Sequence, residues 1–205
     1  MNILEAYIKK YDQIIILILG LPCTNKSEIA KEFEIDLKLP ILNINDYIIP
    51  DKFKEITIND IKFKIYEDSD NYDWKKLNDD IEKLKSSGII LYGNYLDSHK
   101  IDFNYDFSFF YSMNSTLCKN ILVEKNMLNE ITNSNHESEV KLKIYFENIF
   151  NPFYENLKKD IKFNKFYNIK ENTTFDNSYD DVFDLLMKLI GEKLTSNKLK
   201  NKKQK

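Results

Sequence analysis

The chain is predicted to fold as an α/β protein of three layers, with helices on both faces of a mostly parallel sheet, on three observations. Short apolar runs (Ile14–Leu19, Ile41–Ile44, Ile89–Tyr92, Phe107–Tyr111) have the length and β-branched or aromatic character of buried strands. They alternate with longer segments whose apolar residues recur at helical spacing, the pattern that builds strand–helix–strand crossovers. The 205 residues contain no internal repeat and no linker, so one domain holds them all.

Taken in order, residues 2–11 place Ile3, Leu4, Tyr7 and Ile8 on one helical face. The first strand covers 13–19, and a helix of about 26–34 follows it. Pro40 punctuates, and Ile41-Leu42-Asn43-Ile44 reads as a second short strand ending at Asn45-Asp46-Tyr47. Residues 53–66 alternate around Asn59-Asp60 and predict a hairpin. Trp74, Leu77, Ile81 and Leu84 mark one face of a helix over 72–87, stopped by Ser86-Ser87-Gly88. Strands at 89–92 and 107–111 come next, then a helix capped by Ser115 through 116–126. Residues 129–138 are polar and aperiodic, predicting a mobile loop, and one helix is expected across 139–160. A strand at 165–169 and a helix at 178–194 close the domain, assigned to residues 1–194. The lysine-rich stretch 195–205 is predicted to be disordered, since it has nothing to bury.

Composition excludes several classes. A content of 42% hydrophobic and 31% charged residues is that of a soluble globular protein. The net charge of −3 generates no field that would recruit nucleic acid or an anionic membrane. Every basic residue is lysine, so any phosphate clamp must use point charges in place of the planar arginine fork. Cys23 and Cys118 are too few for a disulfide framework or a zinc site, and a reducing compartment is the expectation. The run Ile14–Leu19 is too short to span a bilayer, and residues 1–11 lack the pattern of a signal peptide. A cytoplasmic protein without membrane or nucleic-acid partners is expected.

The chemistry gathers between Ile14 and Phe33. A buried strand ends in Gly20, a tight polar turn follows, and Lys26-Ser27 opens a helix. Phosphate binding needs this order of parts: amides of the turn face one point, and the helix start adds free N–H groups and a positive dipole end. Against the P-loop pattern G-x-x-x-x-G-K-[ST], the segment Gly20-Leu21-Pro22-Cys23-Thr24-Asn25-Lys26-Ser27 matches except at the second glycine, which is Asn25. Asparagine is the side chain that best tolerates positive φ, so the loop is expected to survive. Gly20, Cys23, Thr24, Asn25, Lys26 and Ser27 are the candidate nucleotide-binding residues. Lys26 is expected as an exposed loop lysine reaching the outer phosphates, and the Ser27 hydroxyl as a ligand of Mg²⁺. Asp46, past the end of a strand, is a candidate base or metal ligand.

Further segments resemble the uridine kinase and nicotinamide riboside kinase group of P-loop nucleoside kinases, in matching order over nearly the whole chain. Ile41–Tyr47 looks like their second strand, which ends in an Asp followed by an aromatic residue. Ile65–Leu77 (IYEDSDNYDWKKL) is similar to their stretch from a substrate-site acid to an Asp-Trp helix start, and Ile89–Leu96 to a strand usually ending Glu-Gly. Asn148–Lys159 resembles a late helix with an apolar-x-Pro-aromatic segment. The resemblance implies a P-loop NTPase-like fold with a mobile lid over 119–137, and ATP with Mg²⁺ as cofactors. It implies transfer of the γ-phosphate to a small-molecule hydroxyl, a ribonucleoside such as uridine or cytidine. Asp46 then serves as general base beside Lys26, Ser27 and Asp46 hold the metal, and Lys119 and Lys125 are lid cations. Glu67 or Asp68 would bond the ribose hydroxyls. Tyr47 and Tyr66 are candidate substrate residues that stack on a base, and in so aromatic a chain they read equally as core.

The departures are Asn25, Tyr92 where relatives carry a Glu supporting Mg²⁺, and lysines where they carry lid arginines. These motivate an alternative: a nucleotide-binding protein with weakened or lost catalysis. His99 and His136 form no constellation, and the aromatic run Phe103–Tyr111 reads as sheet core.

Overall fold

The computed structural model describes residues 2–66, 68–124, 138–170 and 175–202. A five-stranded sheet forms the middle layer, with β1 (Ile15–Gly20), β2 (Ile41–Asn43), β5 (Ile89–Gly93), β6 (Phe107–Met113) and β7 (Lys165–Ile169) in the order β2-β5-β1-β6-β7. Every pairing in it is parallel. The central strand β1 is buried along its whole length, because both of its faces are covered. Ile15, Leu17 and Leu19 join one core, while Ile14, Ile16 and Ile18 join the other. Burying each such side chain contributes about 1.5–3 kcal/mol, so β1 anchors both layers. The fold is α/β/α, as the sequence predicts.

One outer layer consists of α1 (Ile3–Tyr11), α2 (Lys26–Leu37) and α7 (Phe175–Lys202), the first two contributing Leu4, Tyr7, Ile29 and Phe33 and the last Val182, Leu186 and Ile190. Asn2 and Glu5 close a reciprocal capping box on α1. The opposite layer holds α3 (Trp74–Leu84), α4 (Ser115–Glu124), α5 (Ser138–Tyr145) and α6 (Asn151–Asp160). The separate hairpin β3 (Lys54–Ile58) and β4 (Ile61–Ile65) packs Phe63 and Ile65 onto that layer. Its turn residues Asn59 and Asp60 have φ of 51° and 61°, the paired left-handed conformation of a two-residue hairpin turn.

Two segments differ from expectation. The single helix expected over 139–160 is interrupted by a π-helical turn at Phe146–Phe150, where the Asn151 N–H donates to the Phe146 carbonyl. Pro152 has no N–H to continue the ladder and its ring crowds the carbonyl of Asn148, so the shift of register just before it is the local solution. The last helix runs to Lys202, past residue 194 and into the segment expected to be a lysine-rich tail. Most of the loop expected at 129–138 and of the lid at 119–137 lies outside the described residues. No helix among the described residues is long and apolar enough to cross a membrane.

Candidate functional site

β1 delivers the chain to the loop at Gly20. A Cβ there would stand 2.2 Å from the Tyr111 carbonyl oxygen, so only glycine lets β1 and β6 lie this close. The Leu21 N–H donates to that same carbonyl at 2.9 Å, the last rung before the backbone turns away. The turn needs two left-handed residues, and they are Cys23 (φ 64°) and Asn25 (φ 54°). Asn25 thus adopts the conformation for which glycine is the usual choice in this motif.

The loop closes around the Leu21 carbonyl. The buried Thr24 hydroxyl donates to it at 2.7 Å and the Lys26 ammonium at 2.9 Å. Asn25 precedes α2 without a side-chain cap, and the first helical bond runs from the Ile29 N–H to the Asn25 carbonyl at 3.1 Å. The amides of the first turn are therefore available for an anion, and twelve residues of aligned peptide dipoles stand behind them. The loop thus leads into an open, positively polarised helix start.

Lys26 is not the exposed lysine expected from the sequence. It is only 7% exposed, folded into the loop it serves. Burial lowers its pKa to about 8, opposed in part by the charges of Cys23, Cys118 and Glu28. A polyanion at that helix start would restore the fully charged ammonium. Ser27, at the helix start, donates its hydroxyl to the Glu28 carboxylate at 2.8 Å.

Asp46 stands just beyond β2, in the 3-10 turn Ile44–Tyr47. It is exposed, and its Oδ1 accepts from the Asn43 side-chain amide at 3.0 Å. The turn is tied to the end of β5: the Asn94 N–H donates to Asn45 Oδ1 at 3.3 Å, and a Cβ on Gly93 would come within 2.8 Å of Ile44 Cβ. At the end of β5, Tyr92 has its pKa raised by burial first and then by the negative charges of Asp46 and Glu28. The fold therefore fixes Asp46 in a turn held against the carboxyl end of β5. Ser27 and Asp46 supply a hydroxyl and one carboxylate, a donor set that suits Mg²⁺, which keeps waters and takes its other oxygens from phosphates. No group of three or more His, Cys, Asp or Glu side chains among the described residues would hold a metal by itself.

The remaining predicted residues are dispersed. Tyr47 is buried, and its hydroxyl donates to Asp80 at 3.1 Å, so the ring is core and not an open stacking surface. Burial and that hydrogen bond push its pKa up to about 12. Tyr66 packs on Phe53 with ring centroids 4.9 Å apart, beneath the Lys64 ammonium. Asp68 caps the short turn Ser69–Asn71 by accepting from the Asp70 N–H at 2.9 Å, and lies 3.6 Å from Lys54. Lys119 lines a cavity of about 410 Å³ between α4 and α5, shared with Lys143, Glu139 and Glu147. Glu67 and Lys125 lie outside the described residues.

Sequence reasoning missed a cluster after β5. Tyr95 meets Trp74 edge-on at 5.9 Å, Tyr72 at 5.7 Å and Phe153 at 4.8 Å. Next to it Asp97 accepts from the Ser69 hydroxyl and, at 2.9 Å, from the His99 N–H. The rule that singled out Asp46, that ligands gather beyond the carboxyl ends of parallel strands, applies equally to β5 and would have found Tyr95 and Asp97.

No family profile and no curated protein matches this chain. Solved structures similar to it include a shikimate kinase from Bacteroides thetaiotaomicron, at 13% identity and a TM-score of 0.48, covering 85% of this chain and 98% of that one. A thymidylate kinase from Candida albicans shows 14% identity and a TM-score of 0.45, covering 85% and 91%. An uncharacterized protein from Eubacterium ventriosum shows 12% and 0.45, covering 84% and 97%. At such values the likeness argues nothing about chemistry, which has to come from the loop itself.

Proposed function

We propose that the protein is an ATP-dependent phosphotransferase that moves the γ-phosphoryl group to a hydroxyl of a small molecule, a ribonucleoside of the uridine or cytidine type. One observation carries the reading: a loop with left-handed residues at Cys23 and Asn25 folds a buried Lys26 onto the Leu21 carbonyl at the open start of α2. The loop amides and Lys26 hold the terminal phosphates, and a lysine already stripped of water responds strongly to their charge. Ser27 and Asp46 are the residues to hold Mg²⁺, which supplies neutralisation of charge across the phosphates. Asp46, exposed beyond β2, takes the proton of the acceptor hydroxyl. The ribonucleoside acceptor rests on the resemblance of the segments around Asp46 and Asp68, and cytoplasmic location on composition.

The test is ADP release by the purified chain over a panel of nucleosides and other small alcohols, with Asp46→Asn beside the wild type. Loss of the base should lower turnover by about 10²–10⁴-fold while leaving melting temperature unchanged, because Asp46 is exposed. Turnover that survives in Asp46→Asn removes the base assignment.

A second reading has one observation in its favour. Tyr92 occupies the strand end where the resembled kinases carry a metal-supporting Glu, and its ring packs into the core beside α2. A protein built this way that binds nucleotide without turning it over gives an ATP-induced rise in melting temperature and no ADP with any acceptor.

A further inference from the structure

A contact to the loop, a shared core cluster and a common influence on Lys26 associate the two cysteines of the chain. Cys118, fully buried on α4, has its Sγ 3.8 Å from the Pro22 carbonyl oxygen, the group bonded to the Cys23 nitrogen. Cys23 packs against the same core cluster that contains Cys118. Both sulfurs act electrostatically on the Lys26 ammonium. The left-handed backbone at Cys23 is unusual for a residue with a Cβ, and it occurs at the residue next to this contact. The two cysteines are 95 positions apart in sequence, so their meeting is a product of the fold.

We propose that Cys23 and Cys118 are a reversible redox pair whose disulfide ties the phosphate-binding loop to α4 and shuts it. Cys23 is partly exposed and Cys118 has no exposure, which assigns their roles. A partly exposed thiol beside a lysine is the environment in which cysteines react with peroxides. The Cys23 sulfur takes one peroxide oxygen to form a sulfenic acid and releases one water. The Cys118 sulfur then attacks the Cys23 sulfur; the S–O bond breaks, and the hydroxide leaves as a second water with the proton of the Cys118 thiol. Two thiols are oxidised by two electrons, and one peroxide is reduced to two waters.

The bond needs Cα atoms within about 7 Å, so once formed it holds the loop fast against α4. Amides of Cys23 to Ser27 held in that arrangement are no longer free to adjust around a phosphate. This consequence for nucleotide rests on the phosphate-binding reading of the loop; the bond itself does not.

The experiment treats the full chain with hydrogen peroxide, then measures intact mass, maps linked peptides and records the melting-temperature shift given by Mg-ATP. The expected result is loss of two hydrogens, a peptide pair joined through Cys23 and Cys118, full reversal by dithiothreitol, and disappearance of the ATP-induced shift. Neither Cys23→Ser nor Cys118→Ser should lose the two hydrogens. Thiols left unchanged, separate sulfinic acids on each cysteine, or a link between two chains would each overturn the proposal. So would a disulfide that leaves the ATP shift of the reduced protein intact. If the reduced protein shows no ATP shift at all, the phosphate-binding reading fails, and mass and peptide mapping alone decide the cross-link.

Discussion

Replacing Lys26 by Met should leave the unliganded protein at least as stable as the wild type at pH 7, and should remove a specific slope from its pH dependence. In the folded chain the Lys26 pKa is lowered to about 8 from the ordinary 10.5, because the ammonium is buried. Between those two values the unfolded chain binds more protons than the folded one, so stability rises with pH across that window. Below pH 8 the penalty is fully present, and the gap corresponds to about 3 kcal/mol. Against it stands the hydrogen bond from the ammonium to the Leu21 carbonyl, worth about 1.5–3 kcal/mol because the donor is charged. Met keeps the length and the packing but loses both terms. The stability of Lys26→Met minus that of the wild type should therefore fall as pH climbs from 8 to 10.5. Urea midpoints followed through the single tryptophan, Trp74, at several pH values in that window measure it. Other lysines and tyrosines titrate there too, but they cancel in the difference between variants. A difference that stays flat across the window, or a loss above about 2 kcal/mol at pH 7, refutes the argument. The same burial predicts proton uptake when ATP binds near pH 8.5, read by titration calorimetry in buffers of different ionisation enthalpy.

The other predictions concern the backbone and the core. Asn25→Gly should hold stability within about 0.5 kcal/mol, whereas Asn25→Val, forced into the left-handed region, should lose roughly 1–2 kcal/mol in urea unfolding and most of its ATP-induced thermal shift. Gly20→Ala drives a Cβ to 2.2 Å from the Tyr111 carbonyl oxygen and should destabilise by at least about 3 kcal/mol; expression of a soluble variant with an unchanged melting temperature would contradict that spacing. Tyr47→Phe removes the bond to Asp80 and should lower stability by about 1 kcal/mol without altering the Michaelis constant for any acceptor, since the ring is core.

The sequence by itself determined the layers. Apolar runs with no polar alternation have to be covered on both faces, and helical segments between them have to cross over, so the parallel sheet follows from local pattern. The loop was legible for the same reason. Strand, turn, Lys26 and helix are contiguous, and the left-handed Asn25 follows from its own side-chain chemistry. Asp46 was legible as a residue past a strand end, but not the way the Asn94–Asn45 bond and the close approach of Gly93 to Ile44 fix its turn against β5.

Burial was decided by the tertiary structure alone. A lysine in a polar turn reads as exposed, yet Lys26 is buried with its ammonium on the Leu21 carbonyl, and Cys118 of α4 meets the same loop at Pro22, an arrangement with no local trace in the letters. In sequence Tyr47 reads both as a stacking surface and as core; the folded chain buries it with its hydroxyl on Asp80. Tyr95, Trp74 and Phe153 come together from three distant segments. Periodicity reports which face of an element is apolar; which element then covers that face depends on contacts between distant residues, and only the folded chain contains them.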